Sequence, residues 1–185
     1  MSLLPPSLVE AHTKPQRAAR TAPTISQAWQ QSWKGRPLQT RPGFLIRRLH
    51  QIHVALFTRE CASEGLTPVQ YSVLTALDHL VTADQATLAR SVGLDRTSIT
   101  DVIARLERRD LLVRTTSPRD GRLKLASLTP AGQALLARVD QAAQRAHDLT
   151  ISALPAGRQR QFLDDLMQLV EAHGDAAALQ SPTAD

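Results

Sequence analysis

The residues most able to do chemistry fall in two short clusters. Asp95-Arg96-Thr97-Ser98, followed by Thr100 and Asp101, gathers short polar and forked side chains into two helical turns. Arginine can grip a guanine edge through two hydrogen bonds, and Ser or Thr can serve a base edge or a phosphate. Ile99, Val102 and Ile103 occupy the opposite face, so one helix carries a polar reading face and an apolar packing face. Arg105 extends the polar face by a turn. The second cluster surrounds Ser117-Pro118-Arg119-Asp120-Gly121-Arg122, a turn sequence flanked by Lys124. Arginines at such a tip project from the body, and a narrow minor groove rewards them with a deep negative potential. Asp120 between them is expected to hold one arginine by a charged hydrogen bond and leave the other for a polyanion. A surface hairpin with incidental charge is the plainer alternative.

Spacing rules out much else. The chain has no Gly-rich phosphate loop, no GxSxG and no HExxH. Asp164 and Asp165 are adjacent and, on a helix, point about 100° apart. No enzyme activity and no cofactor are expected. Cys61 is the only cysteine among 185 residues, which excludes an internal disulfide and a Cys-based zinc finger. His50 and His53, three apart, could share zinc, but only Glu60 and Cys61 stand nearby to complete it, and no metal site is expected. No apolar run approaches the ~20 residues of a membrane span, and Met1 to Pro6 lacks a signal-peptide stretch. A cytoplasmic protein with no membrane partner is expected.

Charge is uneven. Residues 1–48 carry eight Lys/Arg against one acid, and residues 90–128 nine against five; the blocks 49–89 and 129–185 are net acidic. A basic central block suggests a polyanion-binding face. Aromatic residues are 3% of the chain, so any core is aliphatic.

These clusters need elements to position them. Four prolines in residues 1–23 mark a basic arm. Ile25, Trp29 and Trp33 predict a short amphipathic helix over 24–34, packed through its two Trp. A long helix is expected from Pro42 to about Ser63, stopped by Gly65. Thr67-Pro68-Val69-Gln70 is a capping-box helix start, leading to about Leu80. Asp84 caps a helix over 85–92, Gly93 breaks it, and the polar-faced helix runs from Arg96 to about Arg109. Periodicity then changes to two: a strand over 111–116 and a returning strand to Leu128, in which Leu123, Leu125 and Ser127 alternate with Lys124 and Ala126. Helices follow over 130–154 and 155–173. The expected fold is mainly α: a winged helix-turn-helix with one β-hairpin wing.

Leu66-Thr67-Pro68-Val69-Gln70-Tyr71, Leu88-Ala89, Asp95 to Thr100, Leu106-Glu107-Arg108-Arg109, Asp120-Gly121-Arg122 and Leu128-Thr129-Pro130-Ala131-Gly132 together resemble the MarR family of bacterial regulators. The resemblance covers residues 42–174. It implies a homodimer whose dimerisation helices are 42–65 and 129–177, a winged DNA-binding domain at 66–128, and a frayed tail at 178–185, with 1–41 an added basic arm. It implies that two recognition helices read half-sites of a pseudo-palindromic operator in double-stranded DNA, about 34 Å apart. Arg96, Thr97, Ser98, Thr100, Arg105, Arg119, Asp120, Arg122 and Lys124 are the candidate DNA contacts. It further implies a pocket for a small aromatic acid that releases a repressor from DNA. Arg47, His50 and His53, at spacing three, and Tyr71 are the candidate ligand residues; the bland alternative makes the histidines half-buried interface groups and Arg47 a solvated charge. Pro42 to Arg48 with Ile52 to Phe57 is similar to the members that control nicotinic acid degradation, which would imply 6-hydroxynicotinic acid. A redox or metal sensor on the same scaffold, through Cys61 or the histidines, and an interaction adaptor that binds no DNA are the rival functions. One departure stands out: Asp110 occupies a place where the family often has Gly, and Asp tolerates the left-handed conformation better than most residues.

Overall fold

A computed structural model describes residues 35–173. Residues 35–41 contain a single 3-10 turn, Leu38–Thr40, and belong to a different unit from the residues that follow. The expected Trp-bearing helix at 24–34 and the tail at 178–185 lie outside the described residues.

The main body begins with α1 (Pro42–Glu60) and α2 (Pro68–Leu80), continues through β1 (Ala83–Asp84), α3 (Gln85–Val92), α4 (Arg96–Arg108), β2 (Leu112–Thr116) and β3 (Lys124–Leu128), and closes with α5 (Pro130–Ile151) and α6 (Ala156–Ala172). The expected winged helix-turn-helix with one hairpin is present.

Local chemistry sets the boundaries. Thr67 and Gln70 make a reciprocal capping box, each bond 3.2 Å. Asp84 accepts from the Thr87 amide at 2.8 Å to start α3, and Gly93, at φ +69°, ends it. Asp110 sits at φ +56°, the left-handed position anticipated for it. Around it, Leu111 N–H donates to Leu106 O at 3.0 Å and Asp110 N–H to Glu107 O at 2.9 Å, which caps the C-terminus of α4 with a Schellman motif.

Three expectations need correction. α1 ends at Glu60, and Ala62–Glu64 tightens into a 3-10 turn before left-handed Gly65. The hairpin is part of a three-stranded sheet ordered β1-β3-β2, because Ala83 pairs with Ala126 and Asp84 with Leu125. A two-residue strand has no periodicity to read, and Asp84 had already declared itself as a helix cap. Within β3, Ala126 is the buried residue, while Leu123, just before the strand, is exposed. The small side chain faces the helices α2 and α3, which pack against β3.

The core is aliphatic, as the composition demands. Leu74, Leu77, Leu88, Ile99 and Leu106 are sealed where α2, α3 and α4 meet, and Phe57, Val139, Ala143 and Ala146 where α1 meets α5. Partner pairs run in opposite order along α1 and α5, His53 with Thr150, Glu60 with Arg145, Glu64 with Arg138, so the two helices are antiparallel. Alanines on α5 let the backbones approach closely. No described helix is long and apolar enough to cross a membrane.

Candidate nucleic-acid interface and ligand cavity

The first turn of α4 is built by Asp95. Its carboxylate accepts from the Thr97 amide (2.9 Å), the Ser98 amide (2.8 Å) and the Ser98 hydroxyl (2.6 Å). These bonds, the Ser98 hydroxyl foremost, hold the Asp95 carboxyl below its ordinary pKa, so it stays ionised. The Ser98 hydroxyl proton is thereby committed to the cap. Thr100 is also engaged: its hydroxyl donates to Arg96 O at 2.7 Å and accepts from Gln85 Nε2 at 2.6 Å. Gln85, at the start of α3, also donates to Arg96 O at 3.2 Å. Gln85 therefore clamps the two helices of the helix-turn-helix, a role sequence reasoning missed because its partners lie 11 and 15 residues away. Arg96, Thr97, Asp101 and Arg105 are left exposed along the outer flank of α4.

The wing is set by its turn. Ser117 is buried, and its hydroxyl oxygen accepts from the Arg119 and Asp120 amides at 3.2 and 3.4 Å. Asp120 Oδ1 accepts from the Arg122 backbone amide at 2.9 Å. The expectation that Asp120 would hold an arginine side chain is thus corrected: a carboxylate two residues before an amide closes an Asx turn more easily than it reaches a long guanidinium. Lys124 Nζ donates across the hairpin to Thr116 Oγ1 at 2.6 Å.

The arginines of α4 and the wing play different parts. Arg114 forms a two-pronged ion pair with Glu107, joining β2 to α4, and Arg109 is bound to backbone carbonyls. Arg96, Arg105, Arg119 and Arg122 are exposed, with no side-chain hydrogen bond or ion pair among the described residues. These four arginines belong to one module, the flank of α4 and the tip of the adjoining wing. Replacing Gln85 by Ala frees α4 to rotate against α3, and DNA affinity is expected to fall about tenfold with little change in thermal midpoint, since the bonds lost are exposed. Titration of the variant against a specific duplex, beside a melting curve, checks this.

The candidate ligand residues separate. His53 Nδ1 lies 2.9 Å from Thr150 Oγ1, and its ring stacks on His147 with centroids 5.2 Å apart and an interplanar angle of 19°. Tyr71 tilts against Phe57 at 5.3 Å and against His147 at 6.3 Å. His147 thus stands between two clefts. One, of about 390 Å³, is lined by His53, His147, Gln144, Thr150 and Phe162 among others; the second, about 500 Å³, is lined by Tyr71, Asp78, Gln133 and Asp140 among others. Arg47 and His50 are exposed and line neither; the Arg47 guanidinium lies over the Phe44 ring at 5.6 Å. His147 was missed because nothing local in α5 pairs it with a residue 94 positions earlier.

Burial, and then the fields of His147 and His50, push the His53 pKa below its usual value. The folded state therefore binds fewer protons than the unfolded chain as pH drops below about 6.5, and stability falls with it. Thermal midpoints of the parent chain are expected to decline between pH 7 and 5.5, and more shallowly for His53→Gln, as parallel melting curves would register.

Cys61 is buried, and desolvation together with Glu60 raises its thiol pKa, the reverse of what a sensing thiol needs. Among the described residues no three His, Cys, Asp or Glu side chains converge as a metal site.

Taken together, a capped recognition helix, a preset wing with free arginines and a cavity between the flanking helices define a winged helix-turn-helix transcriptional regulator. The MarR family model matches residues 66–124. The HTH-type transcriptional repressor NicR of Pseudomonas putida is 29% identical over 134 residues, 72% of this chain and 85% of NicR. The PcaV transcriptional regulator of Streptomyces coelicolor, solved with its natural ligand, is 38% identical with a TM-score of 0.68, covering 74% of this chain and 96% of PcaV. BpsR of Bordetella bronchiseptica, whose DNA binding is regulated by 6-hydroxynicotinic acid, is 29% identical with a TM-score of 0.68, covering 74% and 96%. The chain belongs to the MarR family.

Proposed function

We propose that the chain acts as a homodimeric, sequence-specific DNA-binding repressor that a small aromatic carboxylate releases from its operator. The observation carrying this reading is the clustering of exposed arginines without a side-chain partner among the described residues, Arg96, Arg105, Arg119 and Arg122, on the flank of α4 and the wing tip, beside Arg114 of the same module, which is paired with Glu107. Dimerisation is supported by apolar side chains that a single copy leaves uncovered, Leu45, Ile46 and Ile52 on α1 and Leu163, Met167, Leu169 and Val170 on α6. The His53–His147 cleft suits a flat aromatic acid, with one imidazole of the stacked pair taking up a proton beside the carboxylate. 6-Hydroxynicotinic acid is the first ligand to try, because NicR and BpsR are relatives.

Fluorescence anisotropy of the full chain on its own upstream DNA and on a scrambled duplex, across a salt series, tests the reading. A specificity ratio of about 10³ or more with a steep salt slope supports it. Absence of binding at low salt sinks it and favours an adaptor. Adding 6-hydroxynicotinic acid should weaken the complex, more strongly at pH 6 than at pH 8, because binding takes up a proton.

A further inference from the structure

Glu64 is gripped from two sides. Its carboxylate receives Arg138 of α5 through Nε and Nη2 at 3.3 and 3.2 Å. Its main-chain carbonyl receives Arg109 Nη2 at 2.9 Å, and the carbonyl of Gly65 receives Arg109 Nη1 at 3.0 Å. Arg109 is the C-cap residue of α4. One guanidinium therefore reaches from the end of the recognition helix to the corner where α1 gives way to α2. One turn back along α1, Glu60 receives Arg145 of α5 at 3.2 Å. Dimerisation helices and reading helix meet at a corner two residues wide.

The chemistry of that corner favours rigidity. Carbonyls at the end of a helical turn carry partial negative charge and have no partner within the turn. A planar fork across two consecutive carbonyls fixes direction as well as distance, which a single ammonium cannot do. The bonds are exposed, so they add little to stability, yet they set the angle at which α4 leaves the body.

We propose that Arg109 is a positioning residue for DNA reading: through the Glu64–Gly65 corner it ties the orientation of α4 to the α1–α5 pair, with Arg138 holding the other side. This rests on the DNA-binding reading above. The competing role for an exposed arginine here is direct contact with a phosphate. Salt dependence separates the two, since each lost phosphate contact lowers the slope of log affinity against log salt by about 1, whereas a lost positioning bond leaves it unchanged.

The full-length wild type first selects a duplex from a random pool. Affinity for that duplex is then measured across a potassium chloride series for wild type, Arg109→Gln, Arg109→Lys, Arg138→Gln and the Arg109→Gln/Arg138→Gln double variant, with thermal midpoints alongside. Each glutamine variant is expected to bind about tenfold more weakly with an unchanged salt slope. The double variant should be no weaker than the worse single, because both act on one corner. Arg109→Lys keeps the charge but not the fork and should resemble Arg109→Gln. A slope lowered by about 1, unchanged affinity in Arg109→Gln, or additive losses would each overturn the proposal. If Arg109→Gln does not fold, Arg138→Gln, which lies on α5 and leaves every bond of Arg109 in place, carries the same comparison. A wild type that selects no duplex overturns the DNA-binding reading and this inference with it; a binding wild type with indistinguishable variants overturns only the inference.

Discussion

Gly132→Ala should destabilise the protein by about 3 kcal/mol or more and lower its thermal midpoint by roughly 6–12 °C. The sign is the informative part. In an ordinary helix interior this exchange stabilises by about 1 kcal/mol, because alanine is the better helix former. Here a Cβ on Gly132 would collide with the Leu111 carbonyl oxygen, far inside contact distance. That carbonyl is not free to retreat. It accepts the Thr129 amide at 3.2 Å, and the Thr129 hydroxyl holds the Asp110 carbonyl at 2.6 Å while also capping α5 through the Gly132 amide at 3.0 Å. The first turn of α5 thus lies directly against the segment joining α4 to β2. A melting curve decides the matter: an unchanged or raised midpoint would mean that these backbones do not meet as described.

The double variant Arg119→Ala/Arg122→Ala should weaken operator binding about 100-fold near physiological salt and reduce the salt slope by roughly 2, one unit for each phosphate-neutralising group removed. Folding should be unaffected. The turn is held by the Ser117 hydroxyl and by Asp120 on a backbone amide, neither of which needs an arginine side chain. Arg114→Ala is the control. That arginine is neutralised by Glu107, so its loss should change the slope little. Equal slopes for the double variant and the parent would remove the wing from the DNA-binding surface.

Much of this architecture was legible in the residues because short-range chemistry writes it there. The Thr67–Gln70 box, the Asp84 and Asp95 caps, Gly93 and left-handed Asp110 all act within a few positions, and each appears where the spacing places it. What spacing could not show were partnerships made across the fold. His147 meets His53 only because α1 and α5 run antiparallel, and Gln85 meets Thr100 only through the turn between helices. Spacing also misled in one place. Arg47, His50 and His53 look like one face, but steps of three residues fall short of a full turn by about 60° each. After two steps Arg47 has drifted about 120° from His53, enough to leave the cleft. β1 was too short to have a pattern, and β3 turns Ala126 inward where larger neighbours suggested otherwise.

Asp95 has an effect beyond starting a helix. The N-terminal end of a helix normally attracts anions, since its unpaired amides and its dipole both present positive charge. In α4 an ionised carboxylate already occupies that end and takes up two of those amides. A phosphate laid over the tip of the helix would meet a like charge rather than a welcoming one. Docking poses that push the helix end-on into the backbone are therefore penalised, and the flank bearing Arg96, Thr97 and Arg105 is left as the favourable approach. On the proposed DNA-binding reading, selectivity would begin with a place where DNA is turned away.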